Sequence, residues 1–248
     1  MLEIHTQDGI TTIRMAHGKA SALDLEFCNG LTQAITQAAK TARAIVLTGT
    51  GRIFSAGVDL IRLLKEGDGY TADFLLAMDR CFRVLFECER PVVGAINGHA
   101  IAGGCILAAA CDWRVMADQG ATIGVPELAV GVPFPVTPLE IVRSACGDAL
   151  TQRLALGCEN LAPAEALRTG LVHALAPAEN LAQAALEHAR RFANAPPRAF
   201  ALVKRQLRAP ALERMRTLHD HDAAVAKEWH SPEVRSAIAA FVERTLKK

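Results

Sequence analysis

Residues 96–105 read Ile96-Asn97-Gly98-His99-Ala100-Ile101-Ala102-Gly103-Gly104-Cys105. The preceding apolar run, Val92–Ile96, has the length and β-branched content of a buried strand. It ends in small residues, and a helix begins at the paired glycines and stays apolar over 105–111. A buried strand that turns into an apolar helix is a building unit of α/β folds. The first turn of such a helix has unpaired amides and the positive end of a dipole, which suits a phosphate, a carboxylate or an oxyanion. Close helix–strand packing through glycine accounts for the same residues without a ligand. No Gly-Lys-Ser/Thr follows and Gly-x-Gly-x-x-Gly is absent, so neither a Walker loop nor a dinucleotide fingerprint is present.

Toward the N-terminus, 2–5 and 10–15 flank Asp8-Gly9, the signal of a tight hairpin. Leu23, Phe27, Leu31 and Ile35 recur every four residues and predict an amphipathic helix capped by Ser21 or Asp24. Ala44–Thr48 reads as a short buried strand broken by Gly49-Thr50-Gly51, and a long helix is predicted over about 71–89, stopped by Pro91. Beyond the central motif, 113–117, 121–123 and 171–175 are strand candidates. From Pro177 onward the pattern is helix after helix, with breaks expected near Pro196-Pro197, Pro210 and Ser231-Pro232. The fold class is therefore α/β, with a C-terminal helical region.

The chain has 248 residues, enough for one domain or one domain with an appendage. Lys plus Arg is 27 against 26 acidic residues, a net charge of +1, which speaks against nucleic acid or an anionic membrane as the main partner. Asn97, His99 and Asp112 interrupt the longest apolar stretches, so no membrane span is expected. The start, MLEIHTQDGI, lacks the features of a signal peptide. The 7 cysteines are scattered without a Cys-x-x-Cys pair, as suits a reducing compartment, and the expected location is cytoplasmic.

Two further segments carry chemistry. In Ile53-Phe54-Ser55-Ala56-Gly57-Val58-Asp59-Leu60, small residues let a ligand approach the backbone; a turn with Asp59 capping a helix near Leu60 is the plainer reading. In Ile123-Gly124-Val125-Pro126-Glu127-Leu128-Ala129-Val130-Gly131-Val132-Pro133, Glu127 is the only ionisable side chain between Asp118 and Glu140. A carboxyl among apolar neighbours can be tuned for proton transfer, whereas most glutamates are simply solvated. The histidines, including His219, His221 and His230, form no His-Glu-x-x-His or finger motif, and no Gly-x-Ser-x-Gly elbow is present.

Taken in order, these segments resemble the enoyl-CoA hydratase/isomerase family, the crotonase superfamily. The residues that carry the likeness are 54–60, Pro91-Val92-Val93-Gly94-Ala95-Ile96-Asn97-Gly98, Ala102-Gly103-Gly104-Cys105, Cys111-Asp112-Trp113-Arg114 and Ile123-Gly124-Val125-Pro126-Glu127. The resemblance implies a spiral of β-β-α units over 1–190 and a helical trimerisation region over 191–248, assembled as trimers or pairs of trimers. It implies catalysis by Glu127 with an oxyanion hole made by the amides of Val58 and Gly103. It implies a substrate site that includes Lys19, Ala20, Ala56, Gly57, Val58, Asp59, Leu60, Gly103, Gly104 and Ile106, with the nucleotide end near Lys19-Ala20.

Family hydratases use two carboxylates, and the first of those positions here is Ile106. That is the pattern of the mitochondrial-type isomerases, which shift a double bond from carbon 3 to carbon 2 with one glutamate. Ser21-Ala22-Leu23-Asp24-Leu25-Glu26-Phe27, Gly131-Val132-Pro133-Phe134-Pro135 and the tail 231–246 resemble the same subgroup. The implied chemistry needs no metal and no redox cofactor, since coenzyme A arrives as part of the acyl-CoA substrate. Other enolate chemistry, including hydration, and a non-catalytic acyl-CoA- or RNA-binding role are the alternatives. Lys204 and Arg205 could meet phosphates, with a solvated helix face as the plainer reading for both.

Overall fold

The hairpin at Asp8-Gly9 forms as its turn residues require. Strands β1 (Leu2–Gln7) and β2 (Ile10–Met15) pair antiparallel with Gln7 opposite Ile10, and both turn residues hold positive φ. The structure, a computed structural model, describes residues 1–245. Next come α1 (Leu25–Thr41), β3 (Ala44–Thr48), β4 (Ile53–Ser55), α2 (Leu60–Glu66) and α3 (Asp68–Glu87). They lead to β5 (Val92–Ile96), β6 (His99–Ile101), α4 (Gly103–Ala110), β7 (Trp113–Ala117), β8 (Ile123–Gly124), α5 (Glu127–Val130) and α6 (Val136–Ala155). The chain closes with β9 (Asn160–Leu161), α7 (Pro163–Arg168), β10 (Ala174–Ala176), α8 (Leu181–Ala193), α9 (Pro197–Thr217), α10 (Asp220–Trp229) and α11 (Pro232–Thr245).

The larger sheet has the order β1-β2-β3-β5-β7-β10 and is parallel after the hairpin. The smaller sheet has the order β4-β6-β8-β9, with only β9 antiparallel. Each of β3, β5 and β7 is followed by a short strand that crosses to the smaller sheet and then by helix. This is the β-β-α spiral that the family resemblance implied. The sequence hides β4 and β6 because their three residues are too few to show a period.

Alternation on the parallel strands divides the core. Val46, Val93 and Val115 pack with Leu181, Ala185 and Ala189 of α8, while Ile45, Leu47, Val92, Ile96 and Met116 join the main cluster with Phe27, Phe54, Phe74, Phe82 and Phe86. Asp24, rather than Ser21, caps α1: its Oδ1 accepts the Phe27 amide at 2.7 Å. No helix among the described residues is long and apolar enough to cross a membrane.

Some expectations are corrected. Pro210 does not break the chain; it lies inside α9. Such a proline costs about 3 kcal/mol. Tertiary contacts on both sides outweigh that cost: Arg208 donates to the Ala110 carbonyl, and Ala211 and Met215 are buried. The last strand is Ala174–Ala176, not 171–175, because the Leu171 carbonyl is taken by the Arg114 side chain at 2.6 Å instead of by the sheet. Lys204 is not on a solvated face. It is buried beside Asp112 at 2.8 Å, whereas Arg205 is exposed and paired with Glu89. Spacing of Ile238, Phe241 and Leu246 predicts for the last helix an apolar side that another subunit or the same chain could cover, and the same chain covers it: Ile238 is buried and Phe241 lines a cavity. Leu246 lies outside the described residues.

Asp112 ties the helical tail to the sheet. Its carboxylate accepts the Val92 amide at 2.7 Å, Lys204 Nζ at 2.8 Å and Arg208 Nη2 at 2.7 Å. All three side chains are largely buried, so removing the anion strands two cations in low dielectric. Asp112→Ala is expected to lower unfolding stability by about 3–5 kcal/mol in urea titrations, as measured for one-sided loss of buried pairs. A loss under about 1 kcal/mol would show that water already solvates these cations.

Candidate active site

The loop after β4 is stitched to the segment before α1. The Ala56 amide donates to the Ala20 carbonyl at 3.0 Å, and the Asp59 amide donates to the Leu23 carbonyl at 2.9 Å. The Gly57 carbonyl in turn accepts the Leu23 amide at 2.7 Å. The Gly57 amide reaches Ser55 Oγ, whose hydroxyl donates to the Ser21 carbonyl at 2.7 Å. The Val58 amide is left over from this network: it donates to no group among the described residues. Asp59 caps α2 through the Arg62 amide at 2.9 Å, as its position in the sequence suggested.

This loop touches the start of α4 backbone to backbone. Gly57 has φ of +83°, and a methyl group there would lie 2.7 Å from Ala102 Cβ and 3.1 Å from the Gly103 nitrogen. At Gly104 a methyl would come within 2.1 Å of the Ser55 carbonyl oxygen. These glycines permit a contact that side chains would block. Ala102 holds φ of 54°, uncommon for a residue with a Cβ, and its amide is anchored on the Gly124 carbonyl at 2.8 Å. Gly103 then opens α4, where the amide has no intrahelical acceptor.

Glu127 is the first residue of α5, after Pro126. A cavity of about 100 Å³ is lined by Glu127 together with Ala56, Val58, Leu60, Gly103 and Ile106. The residue as a whole is partly exposed, but its Oε2 is fully enclosed and has no hydrogen-bond partner among the described residues. Burial pushes the Glu127 carboxyl up to about 8, opposed by a hydrogen bond from its own backbone amide. An acid of this kind exchanges protons near neutral pH, and among the described residues it is the only ionisable side chain lining the cavity. Ile106, at 3% exposure, presents an apolar side chain to the cavity.

The residues named from sequence fall into distinct places. Gly57 and Gly104 lie behind the cavity wall as spacers, and Asp59 faces the helix it caps. Lys19 is exposed on the turn before α1, away from the cavity lining, and Ala20 acts through its carbonyl as the anchor of Ala56. Sequence reading missed Met78, Pro138 and Trp229, which complete the lining. On α10 Trp229 shares its core-facing side with Val225, a single i,i+4 pair too short to read as a period, and its Nε1 donates to the Pro133 carbonyl at 3.1 Å.

The chain was compared with known proteins. The enoyl-CoA hydratase/isomerase family matches residues 5–247. Enoyl-CoA delta isomerase 1, mitochondrial, of Homo sapiens is 28% identical over 242 residues, 95% of this chain and 80% of the relative. A short-chain-enoyl-CoA hydratase of Clostridium acetobutylicum is 29% identical over 203 residues, 81% of this chain and 77% of the relative. The crystal structure of human mitochondrial delta3-delta2-enoyl-CoA isomerase superposes with a TM-score of 0.94 at 25% identity, covering 99% of this chain and 98% of that one. A Mycobacterium tuberculosis enoyl-CoA isomerase structure matches with a TM-score of 0.83 at 32% identity, covering 90% and 97% of the two chains. The chain belongs to the enoyl-CoA hydratase/isomerase family and is an enzyme of that family.

Proposed function

We propose that this enzyme is an isomerase that moves the double bond of a 3-enoyl-CoA to the 2-position. The observation that carries the reading is a single carboxyl in an otherwise apolar cavity, with Ile106 where hydration would need a second acid. Glu127 takes a proton from carbon 2, and the electrons move onto the thioester oxygen as a dienolate. The Val58 and Gly103 amides donate to that oxygen as its charge grows; one such donor is worth about 3 kcal/mol. Glu127 then returns the proton to carbon 4, leaving a conjugated 2-enoyl thioester. No water is consumed, so a dry cavity suits both steps. Coenzyme A enters with the substrate, and the chemistry calls on no metal or redox cofactor. The unpaired cysteines agree with a cytoplasmic setting.

Product identity from a panel of 3-enoyl- and 2-enoyl-CoA substrates tests the reaction type. Conjugated product from the first set and negligible 3-hydroxyacyl product from the second are expected. Robust hydration would favour the hydratase reading that some relatives' names suggest.

Glu127→Gln keeps the shape of the side chain but cannot accept a proton, so turnover is expected to fall by about 10²–10⁴-fold while acyl-CoA binding persists. In the parent, kcat/KM should rise with pH through about 8, because the base must lose its proton to act. Stability should move the other way. The folded state holds this proton up to about 8 and the unfolded chain releases it near 4.5, so stability falls as pH rises across that window. Glu127→Gln should flatten both profiles. A mutant within a few-fold of the parent would remove Glu127 from the mechanism.

The same reading includes assembly as trimers or hexamers. Leu202, Val203 and Leu207 are exposed on α9, and a subunit interface would cover them. Sedimentation at micromolar concentration is expected to give a multiple of three chains, and a stable monomer would contradict it.

A further inference from the structure

The cavity that holds Glu127 is not the only apolar space beside α5. A second cavity, of about 350 Å³, lies against the same short helix and is lined by Leu128, Leu139, Ala155 and Leu156. Val132, Pro133 and Phe134 line both cavities. Glu127 faces one side of α5 and Leu128 the other, so a wall only a few residues thick separates the acid from the larger space.

The two spaces differ in what they can take. An apolar cavity of about 150 Å³ accepts one benzene-sized molecule. The 100 Å³ around Glu127 therefore suits a short acyl segment and no more. The second space is several times larger and almost wholly apolar, and Leu128 and Leu156 stand exposed at its rim.

The backbone of the wall is held in place. Trp229 Nε1 donates to the Pro133 carbonyl at 3.1 Å, and the Val136 amide donates to Asp222 Oδ1 at 2.7 Å. Pro133 and Pro135 fix their own φ angles on either side of Phe134. What remains adjustable is the Phe134 side chain, which is only partly buried.

We infer that Phe134 sets the acyl-chain length this enzyme accepts, by closing the Glu127 cavity off from the apolar space behind it. The inference rests on the acyl-CoA reading of the site. A chain longer than the first cavity can be housed only where Phe134 is displaced or shortened, and its end then lies along Leu139 and Ala155.

Calorimetric binding of saturated six-carbon and twelve-carbon acyl-CoA tests the wall independently of catalysis. The parent is expected to bind the twelve-carbon ligand no better than the six-carbon one. Phe134→Ala should raise the twelve-to-six affinity ratio by about tenfold, the scale of a few methylene contacts in an apolar pocket. Phe134→Leu should shift it in the same direction by less, and it serves if the alanine variant does not fold. Adding Gln152→Trp, at an exposed position on the far wall, should cancel the gain. An unchanged ratio, a parent that already prefers twelve carbons, or a gain that survives Gln152→Trp would overturn the inference. Failure of the isomerase reading would appear separately, as absence of double-bond shift in every 3-enoyl-CoA whatever the binding ratio.

Discussion

The contact between the β4 loop and the first turn of α4 is the constraint on which the rest of the site depends. Backbone meets backbone there: Gly57 lies against Ala102 and Gly103, and Gly104 lies against the Ser55 carbonyl. Close approach of this kind brings Val58 and Gly103, from different β-β-α units, to the lining of one cavity. The contact also explains why Ala102 tolerates a left-handed conformation. Its amide is pinned by Gly124, its carbonyl accepts the Ile106 amide, and the turn between β6 and α4 leaves no room to relax.

The chemistry follows from what surrounds that contact. A helix N-terminus and a strand-end loop offer donors, and donors alone would bind any anion. Glu127 lies in the same cavity, and among the described residues no cation lines it. Its carboxyl is raised because the neighbourhood lacks polar groups, not because a like charge sits close by. The apolar lining, Ile106 included, is therefore what keeps the proton on Glu127.

The C-terminal helices act at two levels. Through Lys204 and Arg208 they close on Asp112, which also holds the start of β5, so the tail is fastened to the central sheet by a buried cluster of charges. Through Trp229 and Phe241 they close the cavity from above. Residues more than a hundred positions from Glu127 thus shape the space in which it works.

The sequence by itself determined the hairpin, the buried strands at 44–48 and 92–96, the helix starting at Gly103 and the cap at Asp59, because each has a local signal: a turn dipeptide, a β-branched run, a glycine pair, a short acceptor before a helix. The order of these motifs also singled out Val58, Gly103, Ile106 and Glu127. Tertiary structure decided what local signals cannot encode. It kept Pro210 inside a helix, because flanking anchors outweigh one lost hydrogen bond. It buried Lys204, because a carboxylate 92 positions away meets it. It brought Trp229 and Phe241 over the cavity, and it turned the isolated Glu127 into an acid with its proton held near neutral pH. Burial belongs to the assembled environment, and no residue carries it alone.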